Sequence, residues 1–440
     1  MSNVRHLQRT LYLKSKQEKD ARFHSLYDKI YRDDVFQEAW RQVKANRGAP
    51  GVDGESIDEI VAQGREQEMI DGLTAALRGH SYRFSPVRGV EIPKPKGGTR
   101  TLGIPTVEDR VVHTAMKIVL EPIFEADFHD CSYAYRPKRS AVDASVAIRE
   151  DLYDRAWGVV EIDFQAYFDS IPHDKLLTLI AGRVADGSVL KLIKQTLKVG
   201  MLHEGQVMPM DVGVPQGSPI SPLYSNIYLN VIDQAWHRWG YPQRLGATLH
   251  RYADDAILVC RRSAKSAREA FESLARRLEL TVNPEKTRVT RLTEGFVFVG
   301  YQFVKRRSPN SGKPTIYLFP SKDSQQRIRN RLKYLTSRRA PLKPEEFTAM
   351  VNPIVLGWVN PFRHTNASDA FRRLQVFINT RFRRYLTSRS KGRGFGWKRY
   401  PNSKLYSMGI IYIGSGKLKY IRSPVHGSRR RLSDRRIREH

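Results

Sequence analysis

VVEIDFQAYFDSIPH (residues 159–173) and RYADDAILVC (residues 251–260) decide the fold. In the first, the apolar run Val159 to Ile162 reads as a short strand that ends at an acid, Asp163. In the second, Ala247 to Tyr252 and Ala256 to Cys260 read as two strands, with Asp254 and Asp255 in the turn between them. Two strand elements far apart in sequence therefore each present acid at an end or a turn. Helical stretches lie between and around them. This is an α+β arrangement in which separated carboxylates can meet at one place.

Outward from these stretches, Asp34 to Asn46 reads as a helix with Val35, Phe36, Ala39, Trp40 and Val43 on one face. RGAPGVDG (residues 47–54) breaks it with glycine and proline. Glu66 to Leu77, Asp109 to Phe124, Leu190 to Lys198 and Lys265 to Leu278 read as further helices. Val87 to Ile104 alternates around a PKPKGG turn, as a hairpin does, and Gly295 to Val304 and Thr315 to Phe319 read as strands. Strand pattern and charge balance change together near residue 320, where a domain boundary is expected.

The 440 residues carry 75 Lys plus Arg against 45 Asp plus Glu, a net charge of +30. Residues 321–440 hold 29 basic and 6 acidic side chains, so +23 of the excess lies there. Such a surface calls for a polyanion, and nucleic acid is the commonest one. Along Ala370 to Leu386, apolar Phe371, Leu374, Phe377, Ile378 and Leu386 share a helix with Arg372, Arg373, Arg381, Arg383 and Arg384. That pattern suits a helix packed on protein with its arginines turned to RNA phosphates.

Other classes are disfavoured. No apolar run of about 18 residues occurs, so no membrane span or membrane partner is expected. The N-terminal MSNVRHLQRTLYLKSKQEKD lacks the apolar core of a secretory signal. Cys131 and Cys260 are too few for a disulfide framework or a zinc site, and fit a reducing cytoplasm.

The acids suggest a chemistry. Phosphoryl transfer from a nucleoside triphosphate uses two divalent cations roughly 3.5–4 Å apart. Magnesium takes hard oxygen ligands and only a few carboxylates, with phosphate oxygens filling the rest. Asp163, Asp254 and Asp255 supply such ligands. Two adjacent acids in a turn are commonplace in any protein, so their companions carry the weight.

Those companions resemble the reverse transcriptases encoded by bacterial group II introns, over almost the whole chain. RGAPGVDG is similar to the family's N-terminal extension motif, IPKPKGGTRTLGIPTVEDRVVHTAM (92–116) to the fingers motif that holds the incoming nucleotide, and SYAYRPKRSAVDA (132–144) to the next fingers segment. VVEIDFQAYFDSI resembles motif A, GVPQGSPISPLYSNIYLN (213–230) motif B, RYADDAILV motif C, LTVNPEKTRV (280–289) motif D and FVFVGYQF (296–303) motif E. VNPIVLGWVNPFRHTNASDAFRRLQVFINTRFRRYLTSR (351–389) resembles the maturase thumb, or X, domain. Pro361 and Phe362 stand where the family more often has a Tyr-Tyr pair.

The resemblance implies a right-hand polymerase fold with fingers and palm, followed by an α-helical basic thumb. It implies a division into an N-terminal extension (1–55), fingers and palm (56–320), thumb (321–420) and basic tail (421–440). Asp163, Asp254 and Asp255 take the positions of the metal-binding acids, for two Mg2+ ions with Mn2+ as a substitute. Phe168 takes the steric-gate position, where an aromatic ring would crowd a ribose 2′-OH. Lys94 and Arg100 match the fingers residues that grip the triphosphate, with Lys96 a weaker match. Phe164, Gln216 and Gly217 belong to the implied nucleotide site. Lys286 takes the motif D position, with the role of protonating the pyrophosphate leaving group.

The implied partners are a group II intron RNA or other structured RNA template, a DNA primer or target, and dNTP, in a bacterial cytoplasm close to nucleoid and RNA. No Cys or Cys/His cluster follows Cys260, so the short, endonuclease-lacking, class C-like type is expected. Two other readings remain open at this level. One is a group II-like enzyme adopted by its host for defence or DNA repair. The other is a non-catalytic splicing factor, against which the three intact acids speak.

Overall fold

The computed structural model describes residues 2–93, 98–336, 343–389 and 396–413. The chain divides into two compact units, Met1–Leu292 and Thr293–His440.

The polar N-terminus conceals an amphipathic helix. Asn3–Gln17 is capped by the Ser2 hydroxyl and buries Val4, Leu7 and Leu11 at helical spacing. Its Ser15 hydroxyl donates to the Ile123 carbonyl at 2.7 Å. Ile123 lies in the helix Val107–Glu125, which is buried on nearly every face and forms the spine of this unit.

β1 (Val87–Pro93) and β2 (Thr99–Ile104) pair antiparallel, with Ile92 opposite Arg100. β3 (Gly158–Ile162) belongs to a different sheet. β4 (Met201–His203) and β5 (Gln206–Met208) extend the hairpin into a sheet of order β2–β1–β4–β5. β6 (Ala247–Tyr252), β7 (Asp255–Cys260) and β8 (Arg288–Arg291) join β3 in an antiparallel sheet of order β6–β7–β3–β8. β3 lies between two neighbours, and its residues Val159, Val160 and Ile162 are all buried. That is why it reads as an apolar run rather than an alternation. Helices Ser221–Arg238 and Ala264–Arg277 belong to the same core through Trp236 and Phe271.

The second unit begins with β9 (Phe296–Phe298), β10 (Tyr301–Arg307) and β11 (Pro314–Pro320), in the order β11–β10–β9. Helices Lys322–Leu335, Pro344–Val359, Ser368–Arg389 and Asn402–Ser407 follow. Two expectations change here. The single strand expected over residues 295–304 is a hairpin, because Val299 (φ 48°) and Gly300 (φ 82°) turn the chain. The units part at Leu292, not near residue 320. The reason is local: Leu318 and Asn366 exchange two hydrogen bonds, and the Tyr301 hydroxyl donates to the Pro361 carbonyl. These strands therefore belong with the helices that follow them.

The whole is a mixed α and β architecture with a helical C-terminal region. Among the described residues no helix is long and apolar enough to cross a membrane.

Candidate active site

Sheet register brings the acids together. Ile162 lies opposite Ala256, so the next residue along β3, Asp163, comes level with the start of β7 at Asp255. Tyr252 lies opposite Asp255, leaving Ala253 and Asp254 as the two-residue loop between β6 and β7. Asp255 is thus the first strand residue, not a turn residue.

Asp254 and Asp255 both feel the charge of Asp163. Burial raises Asp254 above the usual carboxylate range, and the charge of Asp163 adds to this. Burial first, then Asp254 and Asp163, push Asp255 up to about 6, against the pull of Lys286. Asp255 is exposed along one edge, yet protein crowds its other sides, which is how an accessible carboxylate is still desolvated. Oδ2 of Asp163 is buried without a hydrogen-bond partner, and the Lys286 ammonium pairs with it at 3.4 Å. Hard oxygens crowded into one recess, one of them without a hydrogen bond, fit a divalent cation.

A tighter cluster exists elsewhere. Among the described residues, His129, Cys131 and His237 are the group whose ligand atoms all lie within 4.8 Å of one another. The two imidazoles stack at 3.6 Å, and Nδ1 of His129 accepts the Cys131 backbone N–H. A neutral imidazole that accepts at Nδ1 carries its proton on Nε2 and has no lone pair left for a metal. Burial also pushes the Cys131 thiol up, away from thiolate. This cluster packs; it is not arranged to ligate.

Hydrogen bonds tie neighbouring loops to the end of β3, to the segment that follows it and to β2. Asn283 N–H donates to the Asp163 carbonyl at 2.7 Å and Asp163 N–H to the Thr287 hydroxyl at 3.3 Å, so the segment bearing Lys286 is pinned to the end of β3. Val214 N–H donates to the Phe168 carbonyl and Gly213 N–H to the Ile171 carbonyl, both at 2.8 Å. Phe168 itself is half-buried, edge-on to Tyr167 at 5.4 Å. Gly103 N–H, on β2, donates to the Gln216 carbonyl at 2.8 Å. Gly217 (φ 121°) passes so close to β2 that a Cβ there would stand 2.6 Å from the Gly103 carbonyl oxygen.

The acidic turn is braced from beneath. Ala253 has φ 58°, a left-handed conformation that costs a non-glycine residue about 1–2 kcal/mol. Its carbonyl accepts Nη1 of buried Arg251 at 2.9 Å. A hydrogen bond from a charged donor contributes about 1.5–3 kcal/mol, enough to offset that cost.

Not every expected residue stands at this site. Lys94 and Lys96 lie outside the described residues. Arg100 is exposed on β2. Phe164 is a correction: its ring is buried in the core against Tyr167 and Phe271, because the alternation after Asp163 turns it inward. In the second unit, Arg372, Arg373 and Arg384 are exposed, with Arg372 paired to Asp369. Arg381 donates to the Thr336 hydroxyl at 2.9 Å. Arg383 is also a correction. It is 1 % exposed, donates to the Tyr400 carbonyl and the Asn402 side chain, and lies over the Trp397 ring at 3.8 Å. It cannot reach a phosphate from there.

One residue escaped the sequence reading. Tyr135 is half-exposed at a left-handed φ of 57°. Burial raises its hydroxyl's pKa, and the same hydroxyl feels Asp254, Tyr252, Arg100 and Asp255. Its sequence signal is only a tyrosine ahead of Arg136 and Pro137.

Comparison with known proteins identifies the family. Residues 92–303 match the family described as reverse transcriptase (RNA-dependent DNA polymerase), and residues 325–402 the one described as group II intron, maturase-specific domain. Protein YkfC of Escherichia coli (strain K12) is 31% identical over 372 residues, 76% of this chain and 96% of that protein. Group II intron-encoded protein LtrA of Lactococcus lactis subsp. cremoris is 35% identical over 216 residues, 49% of this chain and 35% of LtrA. An uncharacterized 91 kDa protein in the cob intron of Schizosaccharomyces pombe is 35% identical over 210 residues, 47% of this chain but 26% of that protein. The last two alignments thus cover about a third or less of those relatives' own length. The chain belongs to the reverse transcriptase and maturase family of group II introns.

Proposed function

We propose that this chain copies structured RNA into DNA by nucleotidyl transfer at Asp163, Asp254 and Asp255, and that it assists the splicing and mobility of a group II intron. In this reading the β1–β2 hairpin serves as fingers, the β6–β7–β3–β8 sheet as palm, and the helical second unit as thumb. The observation that carries it is the buried Oδ2 of Asp163, without a hydrogen bond and paired only to the Lys286 ammonium, beside two carboxylates raised by burial and by the charge of Asp163. Two Mg2+ ions, with Mn2+ as substitute, would there activate a primer 3′-hydroxyl and carry triphosphate charge.

The chain's own residues do the rest. Arg100, with Lys94, grips the triphosphate through charge-assisted hydrogen bonds. Gln216 and Gly217 line the nucleotide beside β2, where the missing Cβ lets backbone approach closely. The Phe168 ring lies against the sugar and crowds a 2′-hydroxyl. Lys286 gives a proton to the departing pyrophosphate. The exposed arginines of Ser368–Arg389 meet RNA phosphates.

Primer extension on an RNA template tests this reading. The wild-type chain is expected to add dNTPs only with a divalent cation, and Asp254→Asn to add none. Because the amide cannot supply an anionic ligand, Mg2+ should also cease to raise the variant's melting temperature. Asp254→Asn extending primers at near the wild-type rate would show the site to be misassigned.

A further inference from the structure

Arg251 is the least accessible arginine near the acids, and its five hydrogen bonds describe a strut. Nε donates to both carboxylate oxygens of Asp233 at 3.0 Å, and Nη2 to Oδ2 of the same residue at 2.6 Å. Asp233 is fully buried in the helix Ser221–Arg238. Nη1 donates to Oδ1 of Asn226, on the same helix, at 3.1 Å, and to the Ala253 carbonyl at 2.9 Å. The guanidinium is therefore gripped on one side by a helix and grips the acidic turn with the other.

The same residue also holds its neighbours by its backbone. Arg251 N–H donates to the Cys131 carbonyl at 2.8 Å, and its carbonyl accepts Tyr133 N–H at 3.0 Å. Asn226 donates to the Ala134 carbonyl at 2.9 Å. Tyr135, whose hydroxyl feels the charge of Asp254 and Asp255, follows directly. So one buried side chain and one backbone unit fix both the turn bearing Asp254 and the segment bearing Tyr135.

We propose that Arg251 is a positioning residue for the acidic turn: its guanidinium, locked by Asp233 and Asn226, holds the left-handed backbone at Ala253 and thereby the aim of Asp254 toward Asp163. This rests on the reading of those aspartates as metal ligands. Burying an ion pair is by itself weak evidence for stability, since desolvation consumes much of the attraction. The pair's fifth hydrogen bond, to the one left-handed alanine in the loop, gives it a function. A planar fork is required, because only guanidinium can satisfy a carboxylate, an amide oxygen and a carbonyl from fixed directions. A lysine ammonium can meet Asp233 but cannot also hold that arrangement.

The experiment compares wild type, Arg251→Lys, Asn226→Ala and the double variant Arg251→Lys/Ala253→Gly. Single-nucleotide extension is measured across a Mg2+ series, with thermal melting in parallel to fix the folded fraction. Displacement of the turn by an ångström should lower kcat of Arg251→Lys about 100-fold and raise half-saturating Mg2+ about tenfold, with dNTP KM little changed. Asn226→Ala, which keeps the Asp233 pair, should raise half-saturating Mg2+ about threefold. Glycine takes a positive φ without a brace, so Ala253→Gly should return at least about tenfold of the lost kcat. A strut that merely cements helix to strand would lower melting temperature without moving Mg2+ dependence at equal folded fraction, and glycine would rescue nothing; either result overturns the proposal. If Arg251→Lys does not fold, an unmoved Mg2+ requirement in Asn226→Ala overturns it alone. Wild type without Mg2+-dependent extension would instead overturn the polymerase reading, whatever the variants do.

Discussion

Lys286 holds its Nζ 3.4 Å from Oδ2 of Asp163. The lysine comes from the loop that leads into β8, and the aspartate from the end of β3; Thr287 and Asn283 hold the two together through backbone contacts. The ammonium is therefore the built-in countercharge of the acid cluster. It also lowers Asp255 against the effects of burial and like charge. A long side chain, two-thirds exposed and tethered at this point, can leave one oxygen for another. Replacing it tests whether it is a proton donor or only a countercharge.

Lys286→Ala should slow nucleotide incorporation by about 100-fold, the usual scale for a lost general acid. A donor that moves its proton in the rate-limiting step gives wild type a solvent deuterium isotope effect, which should vanish in the variant. Rapid-quench incorporation in H2O and D2O reads this directly. A loss of the same size with the isotope effect intact would leave only the countercharge role.

Metal demand should depend on pH through Asp255. Its carboxyl is pushed up to about 6, so protons compete with the cation for the same oxygens as pH falls through that value. Above it the carboxylate is ionised and open to Mg2+; below it the neutral acid must first lose its proton. Half-saturating Mg2+ should rise about tenfold per pH unit below the shifted pKa if one proton is displaced. Measuring that concentration at pH 5, 6, 7 and 8 checks the sign and the slope. A requirement that stays flat down to pH 5 would show that Asp255 does not bind the ion.

Phe168 is held from two sides, by the Tyr167 ring and by its carbonyl's bond to Val214. Phe168→Ala should therefore raise ribonucleotide incorporation, by about 10-fold or more on the scale of other contact-based discriminations. The ratio of kcat/KM for dNTP and rNTP is the measurement. Unchanged discrimination in a folded variant would remove the steric-gate role.

Gly217→Ala forces a Cβ to within 2.6 Å of the Gly103 carbonyl oxygen at a φ of 121°. The contact is backbone on one side, so β2 must move, and with it Arg100. If β2 carries the nucleotide grip as proposed, dNTP KM should rise about tenfold or more with the melting temperature little changed, because the displaced strand lies outside the core. A variant with normal KM would show that β2 and this loop act independently.

The acids were legible because a strand end and a hairpin loop are local patterns. An apolar run ending at Asp163 and a hairpin loop before Asp255 each need only a few neighbours to be read, and antiparallel pairing then aligns them. The glycine contact was not legible, since Gly103 and Gln216 are joined only by folding. Phe164 misled for a different reason: one residue after Asp163 the chain faces the core, so an aromatic inside a nucleotide motif is packing. The N-terminal helix was hidden by its polar face, which outnumbers the short stripe Val4, Leu7 and Leu11. Arg383 shows the limit of reading a helix by charge, because the groups that claim its guanidinium, Tyr400 and Asn402, come from a later segment.

That last residue sets the final prediction. Arg372, Arg373 and Arg384 are exposed on Ser368–Arg389, whereas Arg383 is spent on Tyr400, Asn402 and the face of Trp397. Residues of one helix should then separate into two phenotypes. Replacing Arg372, Arg373 and Arg384 together by glutamine should weaken binding to structured RNA and flatten the log–log salt dependence by up to about two or three units, one for each phosphate no longer neutralised. Melting temperature and short primer extension at high enzyme concentration should hardly change. Arg383→Gln should do the reverse: loss of a buried network destabilises by about 2 kcal/mol or more, while the salt slope of the folded fraction stays where it was. RNA affinity across a KCl series, with melting measured on the same preparations, separates the two. If the exposed triple variant keeps the wild-type slope, the excess charge of this region acts elsewhere than on this helix.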